Sequence, residues 1–205
     1  MFKSRLRSDP LNDFDKELLS SNLVGAKTLD ELFAYERDIT ADRILQVRLS
    51  PLPGSYDYTH YKALHKALFK DIYQWAGQDR FDLGYQGVFR KGDTEFTPGS
   101  QLPLVAKGLF DALREENYFK DLDRDAFSKS AASFLNGLNI LHPFREGNGR
   151  TQRLFMELLA ENTGYDLDLS TVSYNINVQA SILGAKGRLT GFEKMIANGL
   201  SYKDV

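Results

Sequence analysis

The chain has 205 residues, 42% of them hydrophobic and 26% charged, with 26 Lys and Arg against 28 Asp and Glu and a net charge of -2. That length predicts a single domain spanning 1–205, with a core large enough to stand without cross-links or structural metal. The near-neutral balance argues against nucleic acid as a direct partner, whose binding rests on a clustered basic face, and no run approaches the ~18 apolar residues of a membrane span.

The first residues, Met1 to Arg7, are basic, but no apolar run follows that would make a signal peptide. A cytoplasmic location is the expectation, with export by a signal-free route left open. The chain has no cysteine, which fits a reducing compartment and removes disulfides, thiolate nucleophiles and sulfur-ligated zinc. Thr28-Leu29-Asp30-Glu31 has the pattern of a capping box, and Leu29, Leu32, Phe33, Tyr35 and Ile39 follow at near-helical spacing, predicting a helix to about Leu49. Ser50-Pro51-Leu52-Pro53-Gly54 breaks it. A second long helix is predicted over Asp57 to Trp75 from Tyr61, Leu64, Leu68, Ile72 and Trp75. Between Gln78 and Pro98, Phe81, Leu83 and Tyr85 alternate, and Gln86-Gly87 and Lys91-Gly92-Asp93 signal turns, predicting a short hairpin or flap. Helices are then predicted at about Gly99–Asn117, Arg124–Leu141, Asn148–Asn162, Leu169–Leu183 and Arg188–Asn198. The expected fold class is all-α, a helical bundle with a small β-hairpin flap.

The densest chemistry lies in the twelve residues from His142 to Arg153, reading His-Pro-Phe-Arg-Glu-Gly-Asn-Gly-Arg-Thr-Gln-Arg. Gly147-Asn148-Gly149 ahead of a helix supplies free backbone N–H groups and the positive end of a helix dipole, which together make an anion hole. Arg150 and Arg153 on the first turn of that helix add bidentate donors and suit a polyphosphate. Glu146 offers the hard oxygen that Mg²⁺ takes alongside a substrate's phosphates. His142 is an imidazole able to take a proton from an attacking hydroxyl, and Phe144 is the expected apolar anchor of the loop.

Each residue alone has a plainer role. A His before Pro at a helix end is commonly a cap, Gly-Asn-Gly is commonly a turn, and single Glu and Arg residues are commonly solvated surface charges. Their conjunction is what favours a site.

The run resembles the motif of the Fic family, His-x-Phe-x-Asp/Glu-Gly-Asn-Gly-Arg-x-x-Arg, and matches it at His142, Phe144, Glu146, Gly147, Asn148, Gly149, Arg150 and Arg153. The resemblance covers roughly Leu19 to Leu200 and implies a Fic-type bundle with its flap at about 80–97. It implies a protein adenylyltransferase: a hydroxyl of Ser, Thr or Tyr on a target protein attacks the α-phosphorus of ATP, AMP is attached and pyrophosphate leaves. By the same resemblance His142 is the base and Glu146 the Mg²⁺ ligand, Gly147, Asn148 and Gly149 form the anion hole, and Arg150 and Arg153 contact the outer phosphates. Relatives of the Doc type carry lysine in place of the second glycine and run a kinase-like reaction, so Gly149 favours AMP transfer. The flap implies target docking by strand pairing, with Lys91, Thr94 and Phe96 in the matching region, although Phe96 suits a core position equally well.

Many Fic proteins inhibit themselves through Ser/Thr-x-x-x-Glu, whose glutamate meets the position of Arg153. This chain has no Ser or Thr followed four residues on by Glu, which implies a small helical antitoxin supplying that glutamate in trans. The sequence ends at Val205 without an evident delivery domain, favouring a toxin that acts on a bacterial topoisomerase over an injected effector that acts on a host GTPase. Two alternatives stay open: transfer of UMP, GMP or phosphocholine on the same fold, since the hole reads phosphates and not the base, and a non-catalytic nucleotide-sensing helical module. Base contacts are expected from Tyr174, Asn177 and Gln179.

Overall fold

A computed structural model describes residues 13–202, so the basic Met1 to Arg7 stretch lies outside the described residues. The helices are α1 (Asp13–Ser20), α2 (Leu29–Leu49), α3 (Tyr58–Phe69), α4 (Leu102–Glu115), α5 (Arg124–Leu141), α6 (Asn148–Glu161), α7 (Tyr174–Ala185) and α8 (Thr190–Gly199). Two antiparallel strand pairs accompany them: β1 (Arg90–Lys91) with β2 (Thr94–Glu95), and β3 (Tyr165–Leu167) with β4 (Leu200–Tyr202). The fold is all-α with a small hairpin, as the sequence predicts.

Local chemistry sets the helix starts. The Thr28 hydroxyl accepts from Glu31 N at 3.2 Å while the Glu31 carboxylate accepts from Thr28 N at 3.3 Å, completing the capping box of α2. Asp57 and Asp123 cap α3 and α5 in the same manner, accepting from His60 N and Ala126 N.

Three expectations need correction. The second helix stops at Phe69, because the Phe69 carbonyl accepts from both Ile72 N and Tyr73 N and closes a turn. Ile72 and Trp75 are buried from that turn at positions that imitate helical spacing. The helix expected from Leu169 begins at Tyr174, after Ser173 caps it, and a strand pair not foreseen sets Leu167 opposite Leu200 instead. Finally, Phe81 to Tyr85 make a turn and not a strand, with Tyr85 N donating to the Arg80 carbonyl, so the flap is confined to the four paired residues β1 and β2 and the Gly92 turn.

The core centres on α5 and α6. Helix α5 packs on α4, α6, α7 and α8, and α6 packs on α3, α5 and β3. Leu154, Phe155, Leu158 and Leu159 of α6 are buried, each contributing roughly 1.5–3 kcal/mol by area removed from water. The loop between these helices, residues 142–147, is therefore anchored at both ends by rods that cannot shift independently.

Candidate active site

Helix α5 ends when His142 turns left-handed, at φ 41°. That costs a non-glycine residue energy, and a buried arginine offsets it. Arg80, 1% exposed, donates from Nε to the His142 carbonyl at 3.0 Å and from one terminal nitrogen to the Thr97 and Leu141 carbonyls at 2.6 and 3.3 Å. A cation at the C-terminal end of α5 also complements its dipole. The next residues are equally constrained. The Asn148 amide exchanges bonds with Phe144, accepting from its N at 2.9 Å and donating to its carbonyl at 2.7 Å. Phe144 is fully buried and stacks on His65 at 3.8 Å between ring centroids. His65 accepts at Nδ1 from Gly77 N and donates from Nε2 to the Glu146 carbonyl at 3.0 Å, so its ring is neutral; burial lowers its pKa to about 3. Arg145 is sandwiched between the Phe14 and Tyr85 rings and pairs with Glu17 of α1.

Beyond the loop lies a cavity of about 780 Å³, within the range of small-molecule sites. His142, Glu146, Gly147, Gly149, Arg150 and Arg153 all line it, with Lys91, Thr94 and Phe96 from the flap region on one side and Tyr174 and Asn177 of α7 on the other. The His142 ring stacks on Phe96 at 3.8 Å, and the Asn139 carbonyl draws weakly on one ring N–H, outside strict hydrogen-bond geometry, leaving the other nitrogen free. Burial holds the imidazole well below its usual pKa, helped by the charges of Lys91 and Arg80. It is a neutral base with a free lone pair. Glu146 accepts from Gly147 N at 2.9 Å and lies 3.6 Å from the Lys91 ammonium; burial opposes its charge, but Lys91, that N–H and Arg150 outweigh burial and lower its pKa.

The glycines differ. Gly147 has φ +81°, and a Cβ there would stand 2.3 Å from the Phe69 ring. At Gly149 a Cβ would meet only Arg153 and Asn177 at 3.5 Å or more, which is ordinary contact. Packing demands the first glycine and tolerates a methyl at the second. Arg153 makes no hydrogen bond or ion pair among the described residues, and burial beside Arg150 lowers its pKa. A half-buried guanidinium without a partner is costly, and it lies at the N-terminal turn where an anion would satisfy it.

The structure thus brings His142, Glu146, Gly147, Gly149, Arg150 and Arg153 to one cavity, whereas Phe144 is buried as the anchor and the Asn148 side chain is spent on it, so that only the Asn148 backbone N–H remains for an anion. Phe96 is buried against the imidazole. Gln179 is exposed and does not line the cavity, unlike Tyr174 and Asn177. Arg80, His65 and Glu36 carry no functional signal in the sequence. Glu36 of α2 is 3% exposed and lies 2.8 Å from Arg150. Burial pushes its carboxyl above the usual range, against the pull of Arg150.

The family model for Fic/DOC proteins matches residues 55–160. The chain belongs to the Fic/DOC family. It is 32% identical over 195 residues to the protein adenylyltransferase VbhT of Bartonella schoenbuchensis, covering 95% of this chain but 39% of that relative. It is 34% identical to the probable protein adenylyltransferase Fic of Escherichia coli, covering 83% of this chain and 81% of that one. The N-terminal Fic domain of a VirB-translocated Bep effector from Bartonella quintana, solved with bound ADP, superposes with a TM-score of 0.83 at 28% identity, covering 89% and 91% of the two chains. Both curated relatives are named as protein adenylyltransferases, which are nucleotidyltransferases.

Glu146 is the carboxylate of the motif that could hold a magnesium ion. The described residues hold no cluster of three or more His, Cys, Asp or Glu able to bind a metal alone. One carboxylate beside a helix N-terminus fits an ion that draws most of its ligands from a substrate's phosphates and water. No helix among the described residues is long and apolar enough to cross a membrane.

Proposed function

We propose that this chain transfers AMP from ATP to a hydroxyl side chain of a target protein. The observation that carries the reading is the neutral His142 imidazole, with one nitrogen free, sharing one cavity with the α6 N-terminus, Arg150 and Arg153. ATP would lay its phosphates against the N–H groups of Asn148, Gly149 and Arg150, which have no intrahelical partner at a helix start, with the two arginines on the outer oxygens. The target hydroxyl attacks the α-phosphorus, its proton passes to a His142 nitrogen, and the bond to the bridging oxygen breaks to release pyrophosphate. Held at Glu146 and the phosphates, Mg²⁺ would neutralise charge on those oxygens. Most of the acceleration then comes from positioning and charge stabilisation.

The flap supports target docking: Lys91 and Thr94 border the cavity, and two-residue strands leave edges for an extended segment to pair with. The unpartnered Arg153 supports inhibition in trans by an antitoxin's glutamate. The test is labelling with ATP tagged at the α-phosphate in lysate, with the labelled protein identified by mass spectrometry. His142→Ala should lower labelling by about 10²–10⁴ while ATP still binds, and undiminished labelling would end the mechanism. Competition by UTP, GTP or CDP-choline separates AMP transfer from its alternatives.

A further inference from the structure

Arg150 occupies the first turn of α6, and its guanidinium is not left to choose its own direction. Glu36 and Thr40 stand four residues apart on α2 and so share a face. The Glu36 carboxylate lies 2.8 Å from one terminal nitrogen of Arg150, an ion pair at short range without strict hydrogen-bond alignment, and the Thr40 hydroxyl accepts from the other nitrogen at 3.3 Å. That hydroxyl donates its own proton to the Glu36 carbonyl at 2.6 Å, so its lone pairs are turned towards Arg150. From beneath, the Phe69 ring lies 5.0 Å from the guanidinium carbon. The charges then continue across the cavity: Arg150 is 3.8 Å from Glu146, which is 3.6 Å from Lys91. Glu36, Arg150, Glu146 and Lys91 alternate in sign from α2 to the flap.

Stability alone does not account for Glu36. A carboxylate only 3% exposed has a desolvation penalty that one ion pair commonly fails to repay, and an apolar residue of similar volume serves a core as well or better. Glu36 also lines the cavity where the motif residues meet. We propose that Glu36 is a positioning residue that, with Thr40, orients the Arg150 guanidinium towards the outer phosphates of the bound nucleotide. This rests on the reading of Arg150 as a phosphate contact. A guanidinium carries five donors in a rigid fork, so those engaged by α2 fix the plane in which the others meet phosphate. An arginine already ordered loses less side-chain freedom on binding.

Binding of ATP and of AMP, each with Mg²⁺, by calorimetry to the full chain tests this, because AMP lacks the outer phosphates. Glu36→Gln should weaken ATP about tenfold and leave AMP unchanged. Arg150→Ala should do the same, and the double variant should be no weaker for ATP than Arg150→Ala alone, the signature of one residue acting through another. An unchanged or tighter ATP affinity in Glu36→Gln, an equal loss for ATP and AMP, or additive losses in the double variant would overturn the positioning role. If Arg150→Ala itself leaves ATP affinity intact, the phosphate contact fails first and takes the inference with it. Should Glu36→Gln fold poorly, Thr40→Val removes the second contact while keeping the carboxylate, with an expected loss of about threefold for ATP only; equal ATP affinities in Thr40→Val and the parent chain would then overturn the role.

Discussion

Residues 142–148 and residues 149–153 are adjacent in the chain and opposite in character. In the first stretch polar groups are turned inward: the Leu141 and His142 carbonyls accept from Arg80, Asn148 clasps Phe144, and the Glu146 carbonyl accepts from His65. In the second, Gly149 leaves space, Arg153 has no partner among the described residues and Arg150 is held from α2. One motif therefore divides into a clamp and a receptor. The clamp gives His142 and Glu146 fixed positions, and the receptor keeps donors unspent for a ligand. Letters that look equivalent in sequence should fail in different ways when changed.

The largest effect should come from the clamp's outside support. Arg80→Ala strands three buried carbonyls and removes the charge capping α5, which should cost about 3–5 kcal/mol. Urea unfolding measures it, and a loss below about 1 kcal/mol would show that the left-handed turn at His142 holds itself. Next comes His65, whose neutral ring both accepts and donates. Its folded pKa of about 3 lies below the usual 6.5, so between those values the unfolded chain binds a proton that the folded chain does not. Stability therefore rises with pH across that window and falls on acidification from 6.5, by up to about 1.4 kcal/mol per pH unit. His65→Gln should flatten that slope by about one proton; an unchanged slope would place the acid sensitivity elsewhere.

How much of this division was legible in the sequence follows from distance along the chain. The receptor was legible because its groups fall within twelve residues of a helix start, where spacing alone sets them side by side. The clamp was not. Arg80 and His65 lie more than sixty residues upstream of the Leu141, His142 and Glu146 carbonyls they serve, Arg80 in a stretch whose alternation imitates a strand, and only tertiary packing brings them in. Glu36 carried no signal at all, since nothing near it in sequence announces burial. The β3–β4 pair escaped for the same reason: three-residue strands draw their stability from a partner over thirty residues away. Ile72 and Trp75 misled in the other direction, as a turn happened to present them at helical intervals.

The two glycines sharpen the comparison at a smaller scale. Gly147→Ala meets the Phe69 ring and a positive φ, with an expected cost of about 1–3 kcal/mol. Gly149→Ala meets ordinary contacts within a helix, so its thermal midpoint should hold or rise slightly, while ATP binding weakens because the methyl occupies the approach to the N–H groups. Equal melting temperatures for the two variants would erase the distinction between clamp and receptor.

The smallest effect is the most diagnostic, because it should run against intuition. Arg153 is partly buried and unpartnered among the described residues, and burial and Arg150 lower its pKa against a weaker pull from Glu157, so the folded chain gains little from its charge until an anion arrives. Arg153→Met keeps the length and apolar stem of the side chain and removes that uncompensated charge. The variant should be more stable than the parent by about 0.5 kcal/mol in the absence of nucleotide, and less able to gain stability when ATP is added. Ligand-linked stabilisation follows RT ln(1 + [L]/Kd), so melting curves with and without ATP read both halves of the prediction in one experiment. A variant that melts lower than the parent without nucleotide would mean that Arg153 already serves the fold, and that the receptor half of the motif begins and ends at Arg150.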